Sequence, residues 1–293
     1  MSTATPSATA LHPVFLSTLW MMGALVSFMA MAVSGRELSS ELGTFQILFY
    51  RSLVGLVVVS LLLTRSGWGQ ARTRQPGLQL LRNLAHYSGQ YGWFHGIALI
   101  PLAEVFAIEF TVPIWTAFLA AWILGERLTR ARLAAVALGI VGMLIILRPG
   151  LTVVQPASLV VLAGAVGYAT SHTLTRKLTR TDTPLAVLFY MTVIQLPLGF
   201  IAALGDWATP SVGLWPWLLV VGVTALSAHY CLTRALTLSD AMVVVPMDFL
   251  RVPLIALVGY LFYQEALDGF VLGGALVMLA GNLVNIRAEQ RRA

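Results

Sequence analysis

Ten stretches of roughly twenty apolar residues, separated by short charged or Pro/Gly-rich breaks, dictate the solvent in which this chain folds. A helix needs about 20 apolar residues to cross the hydrocarbon core, where each backbone N–H and C=O must be satisfied within its own segment. Cutting at the interruptions predicts spans over 14–33, 43–64, 80–99, 102–123, 131–147, 157–174, 184–204, 214–236, 241–263 and 269–286. The longest connection, 65–79, is too short for a soluble domain, so the chain reads as one all-α integral membrane domain of ten transmembrane helices. Composition agrees: 58% of residues are hydrophobic and 10% charged. Soluble domains carry about 25% charged residues, so a water-soluble enzyme and a disordered chain are both excluded. The single cysteine, Cys231, lies in an apolar segment, which leaves no intrachain disulfide or paired-cysteine metal motif. No metal and no cofactor is expected.

The excess positive charge is explained by where it sits. Of 18 Lys and Arg, fourteen fall on one side of the predicted membrane: Arg65, Arg72, Arg74, Arg82, Arg127, Arg130, Arg132, Arg176, Lys177, Arg180, Arg234, Arg287, Arg291 and Arg292. Only Arg36 and Arg148 fall on the other, while Arg51 and Arg251 lie within spans. Basic connections stay in the cytoplasm, which predicts a multi-pass protein of a bacterial-type inner (plasma) membrane with both termini cytoplasmic. The charge therefore reads as orientation and contact with anionic lipid, not as a nucleic-acid surface. Ala30-Met31-Ala32 has the form of a signal-peptide cleavage site, but no basic residue precedes Arg36 and the first stretch is long enough to span, so no cleavage is expected.

The chain also repeats itself. Glu109, Ala117, Glu126, Leu128 and Gly142 recur as Asp248, Ala256, Glu265, Leu267 and Gly281, each 139 residues later. This divides the chain into repeats at 1–150 and 151–293 with five spans each. Five is odd, so the second repeat enters the membrane from the opposite side and the two are inverted. Inverted repeats suit a secondary transporter, because two similar halves can exchange conformations around a midplane site. Pro113 in span four, and Pro246 and Pro253 in span nine, remove backbone donors at nearly matched places, making them gating or hinge candidates. Proline is also common in membrane helices merely as an adjuster of packing.

These residues resemble a known family. Pro101-Leu102 and Pro113, followed by Leu124-Gly125-Glu126-Arg127-Leu128, are similar to the Pro…Leu-Gly-Glu-x-Leu pattern of the drug/metabolite transporter superfamily, EamA type. Pro246 through Phe249-Leu250-Arg251-Val252-Pro253 to Gln264-Glu265 resembles the variant seen in bacterial metabolite permeases and amino-acid exporters, and Phe49-Tyr50-Arg51 is similar to that family's Phe-x-Arg. The resemblance implies ten helices in two inverted repeats and secondary transport of small organic solutes, with export of amino acids, aromatic or apolar ones included, as the leading reading. The alternative is a permease for riboflavin or S-adenosylmethionine-like metabolites, or a drug exporter. One departure is Gln264, which stands where the first repeat has Gly125.

Ionisable groups within a span are costly, about 2.5–3.5 kcal/mol each on insertion scales, and so face a cavity or a partner. Five qualify: Arg51, Glu104, Glu109, Asp248 and Arg251. Asp248 and Arg251, three residues apart on one helix, either offer charges to a substrate or neutralise each other. Arg51, near mid-membrane, either holds a substrate carboxylate or pairs with Glu109. Glu104 is placed near the outer end of its span, within reach of water. The third span is dense in amphipathic aromatics: His86, Gln90 and Trp93 share one helical face, and Tyr87, Tyr91 and His95 its neighbour. That stripe reads as cavity lining, against the plainer reading of a packing seam opened by Gly89, Gly92 and Gly96. Trp115, Tyr168 and His172 are further cavity candidates, and Trp20, His229 and Tyr230 weaker ones. Glu109, His86 and His172 are possible proton relays, and facilitated diffusion fits equally well.

Other function classes fit poorly. HExxH, GxSxG and GxxxxGK[ST] are all absent, and Ser171-His172 are adjacent, a spacing that does not bring two side chains together on a helix. A channel would need a continuous pore in place of halves suited to rocking. The expected partners are a small-molecule substrate and the lipid bilayer. A monomer suffices for the mechanism, and Gly269-x-x-x-Gly273 permits a homodimer.

Overall fold

The computed structural model describes residues 13–125, 128–150, 154–239 and 241–291; the motif residues Glu126 and Arg127, and Arg292, lie outside them. The described elements are helical: α1 Pro13–Leu38, α2 Thr44–Ser66, α3 Pro76–Leu99, α4 Leu102–Glu109, α5 Val112–Leu124, α6 Arg130–Leu147, α7 Pro156–Leu178, α8 Pro184–Ala203, α9 Trp215–Leu238, α10 Ala241–Phe249, α11 Arg251–Tyr263 and α12 Gly269–Gln290. Among the described residues, nine segments are long and apolar enough to cross a membrane. The further passage is α3, whose 24 residues include Arg82, Asn83, His86, Gln90 and His95. The chain is a multi-pass, all-helical membrane protein.

Predicted spans four and nine are each broken in the middle, at Phe110–Thr111 between α4 and α5 and at Leu250 between α10 and α11. Pro113 has no N–H for the Glu109 carbonyl one turn back, and Pro253 has none for Phe249, so each helix stops beside its proline. Elsewhere the ends follow local chemistry. Proline opens α3, α7 and α8, where its missing donor is harmless. Thr183 Oγ1 caps α8 by accepting from the Ala186 N–H (3.0 Å). Gly125 ends α5 with φ +69°, and Gln264, its equivalent 139 residues on, ends α11 with φ +55°.

Helix pairing follows the repeat. The main packing pairs are α1 with α9, α3 with α7, α2 with α8 and α6 with α12. Small residues set the approach: a Cβ on Gly92 would meet the Val160 carbonyl oxygen at 2.6 Å, and one on Gly142 would meet that of Gly274 at 2.6 Å. At the centre, Phe110 and Phe249, equivalent positions of the two halves, stack with centroids 3.9 Å apart.

One end of the bundle, the basic face, carries both described termini and connections rich in Arg. The other is latched. Arg36 donates to the Ile100 carbonyl (2.6 Å) and to Glu265 Oε1 (2.9 Å), Glu265 Oε2 accepts from the Leu102 N–H (2.9 Å), and Tyr263 donates to Glu37 (2.7 Å). Arg148 pairs with Asp268 at 2.5 Å. Arg82, counted above with the basic connections, is instead buried inside α3, where it donates to Thr175 Oγ1 (3.1 Å) and Asn83 Oδ1 (2.7 Å).

Candidate functional site: a cavity between the two halves

The broken helices leave a cavity of about 500 Å³ between the repeats. Its inner end is walled by Arg51 of α2, His86 and Trp93 of α3, Glu109 at the α4 terminus, and Asp248 and Arg251 at the α10–α11 break. Tyr168 and His172 of α7, His229 of α9 and Phe28 of α1 line its flanks. Toward the basic face it reaches Arg132, Arg176 and Asn285. Each broken helix thus places its charged residue where the chain interruption opens space.

Two charged centres differ in kind. Arg251, 5% exposed, is shared by two acids: NH2 donates to Asp248 Oδ2 at 2.7 Å, and NH1 lies 3.5 Å from Glu109 Oε1. Its guanidinium also lies 4.3 Å from the Phe28 ring centroid and 4.9 Å from that of Phe110. Trp93 Nε1–H fixes the other oxygen of Glu109 at 2.8 Å. Arg51, equally buried, has no ion pair or hydrogen bond among the described residues, and its Nε is an orphan donor. The Arg51–Glu109 pairing offered by the sequence is therefore not formed, because Arg251 on the facing half takes that carboxylate first. Glu104 is half-buried and accepts from Ser158 Oγ at 2.6 Å.

His86 is held from behind by two amides. Gln90 Nε2 and Gln195 Nε2 approach its Nδ1 at 2.9 and 3.1 Å, an arrangement that fits an Nδ1 acceptor and an Nε2–H. Tyr168 meets the His86 ring edge-on (5.5 Å) and stacks on His172 (6.3 Å).

Of the sequence candidates, the structure brings Arg51, His86, Trp93, Glu109, Pro113, Tyr168, His172, Asp248 and Arg251, and of the weaker ones His229, to the cavity wall, and not the others. Gln90 is buried behind His86. Tyr87 and Tyr91 turn onto α2, where they stack on Phe45 at 6.4 and 4.6 Å, so the second aromatic face of α3 is an interhelical seam. Trp115 donates to Thr111 Oγ1 one turn back (3.2 Å) and does not line the cavity. Pro246 and Pro253 lie on the broken span but off the wall, because the side chains turned inward there are those of Asp248 and Arg251. Phe28, Phe110, Asn282 and Asn285 escaped the sequence reading. Phe110 follows Glu109 as Phe249 follows Asp248, a repeat signal present in the residues; the two asparagines are neutral polar residues in an apolar span, which carry no charge to mark them as cavity-facing.

Comparison with known proteins agrees with this architecture. The model of the EamA-like transporter family matches twice, at residues 15–148 and 155–287. The S-adenosylmethionine uptake transporter of Rickettsia bellii is 25% identical over 93% of this chain and 94% of its own length. The riboflavin transporter of Rhizobium johnstonii is 30% identical over 94% and 92%, and the pseudopaline exporter of Pseudomonas aeruginosa 28% over 87% and 90%. A solved structure described only as a crystal structure of protein superposes with a TM-score of 0.65 at 17% identity, over 94% of this chain and 98% of that one, a likeness of fold. With the family model matched over nearly its whole length, the chain belongs to the EamA-like transporter family of the drug/metabolite transporter superfamily.

Proposed function

We propose that this transporter works by alternating access in a bacterial-type inner membrane, with the basic face and both termini in the cytoplasm, and that it moves a metabolite of the size class of riboflavin or S-adenosylmethionine. The observation that carries this reading is the cavity itself: about 500 Å³, lined by both halves, reaching the basic face while the opposite face is latched. In the proposed orientation this is the cytoplasm-facing state. Pockets of roughly 300–1,000 Å³ suit drug-sized ligands, and a free amino acid would leave much of this one empty. The substrates named for the relatives weigh the same way, so amino-acid export has less support than the permease alternative. The rings of Tyr168, His86 and Phe110 offer faces and edges to a flat ring system. Pro113 and Pro253, at the two helix breaks, and Pro246 are the hinges about which the halves would rock, and one chain completes the cavity, so a monomer suffices.

The test is counterflow in proteoliposomes loaded with S-adenosylmethionine, riboflavin or single amino acids. Saturable exchange of one of the larger metabolites, lost on Tyr168→Ala, is expected. Exchange confined to amino acids would overturn the substrate reading.

A further inference from the structure

We propose that Arg51 is the seat of an anionic oxygen group, a carboxylate or phosphate, on the transported metabolite. This deepens the reading above by narrowing it to metabolites that carry such a group, as S-adenosylmethionine does and riboflavin does not, and it rests on the cavity being the transport site. Four guanidiniums are buried or half-buried with fully described surroundings besides Arg51: Arg36, Arg148 and Arg251 have carboxylate partners, and Arg82 has two neutral acceptors. Arg51 has neither, at 5% exposure and about 12 Å into its helix by a 1.5 Å rise per residue. A guanidinium keeps its charge, and an uncompensated buried charge is strongly unfavourable.

No carboxylate beside Arg51 relieves it: its favourable electrostatic neighbour is Tyr168, a phenol and not a counter-ion. The recess behind it, shared with Ser52, Thr192 and Gln195, measures about 10 Å³, room for at most one water. Its electrostatic neighbours include Arg82, a second cation. The carboxylates of the cavity wall, Glu109 and Asp248, are both engaged by Arg251. What remains open to Arg51 is the cavity, and its planar fork of donors matches a carboxylate or phosphate edge. A ligand bearing such a group would supply the missing counter-charge at mid-membrane, with its ring beside Tyr168 and His86.

The experiment uses the full chain in detergent and three one-ring probes, benzoate, phenyl phosphate and benzyl alcohol, read by thermal melting. In the unaltered protein at least one anionic probe raises the melting temperature saturably and benzyl alcohol does not; the stronger of the two anions identifies the group. Arg51→Gln abolishes that shift, and without ligand it melts higher than the unaltered protein, because an orphan charge has gone; a purely structural arginine would melt lower on removal. If Arg51→Gln does not fold, Arg51→Lys, which keeps the charge but loses the fork, binds the preferred anion about tenfold more weakly. Absence of any saturable anion shift, or a shift of full size in Arg51→Gln or Arg51→Lys, overturns the proposal. Failure of every metabolite in counterflow with the anion shift intact would strike the substrate reading and leave the anion seat standing.

Discussion

Arg251 shows how one side chain organises a site. It neutralises an acid from each half, Glu109 and Asp248, and covers the rings stacked at their junction. Arg251→Met would leave two carboxylates near mid-membrane without a cation, a loss of about 3–5 kcal/mol. The expected readout is a much lowered melting temperature, largely recovered when Glu109→Gln and Asp248→Asn are added; a single variant as stable as the unaltered protein would refute the pairing. Gln264 presents the reverse case. It holds a left-handed conformation, φ +55°, that its first-repeat counterpart Gly125 adopts freely. Gln264→Gly should relieve roughly 1–2 kcal/mol of backbone strain and raise the melting temperature. An unchanged or lower value would mean that the glutamine side chain earns its place by contacts.

At the scale of elements, the connection between α2 and α3 is tied to the one between α7 and α8 by the Asp182 carboxylate, with Gln75 donating to Thr181 (2.8 Å) and Thr183 to the Gln70 carbonyl (2.7 Å) beside it. Asp182 accepts from Thr73 Oγ1, from Gln79 Nε2 (2.8 Å) and from Thr181 Oγ1 (3.0 Å). Burial pushes its pKa up, but these hydrogen bonds and the Arg74 N–H outweigh it and hold the carboxyl below the usual aspartate range. A depressed folded pKa stabilises above the unfolded value of about 3.9 and is lost as pH falls through the lower folded one. Asp182→Asn should therefore cost about 1–3 kcal/mol at neutral pH, with the gap to the unaltered protein closing as the pH drops below about 4. Melting curves across that range check it, and a gap independent of pH would show that the charge is not what ties the connections. The helix breaks at Pro113 and Pro253 were legible from the residues; the inward turn of Asp248 and Arg251 in place of the prolines was not, because it depends on what α4 presents from the facing half.

At the scale of the whole molecule, the latch opposite the cavity sets which state is populated. Glu265 holds Arg36 and the Leu102 N–H, linking α1, the start of α4 and the end of α11. Charge-assisted hydrogen bonds contribute about 1.5–3 kcal/mol each, so Glu265→Gln should shift the balance toward opening at that face by at least tenfold. The measurement is labelling of Met31→Cys, on the cavity wall, by an impermeant thiol reagent added from the proposed outer side, in a Cys231→Ser background. Labelling no faster than in the latched control, the same cysteine with Glu265 intact, would show that the latch does not gate that face.

Membrane residence, the helix passages and the doubled, inverted plan were legible in the residues, because lipid demands long apolar helices and a duplicated half keeps its spacing. The candidate cavity was legible only in part. Periodicity showed that α3 has polar aromatic faces, but Phe45 on α2 decided that Tyr87 and Tyr91 pack and His86 and Trp93 line space. Likewise the sequence displayed two mid-membrane arginines and two acids without showing who pairs with whom. Pairing is a matter of distance between helices far apart along the chain, and the packing that brings Arg251 to both acids is what leaves Arg51 alone.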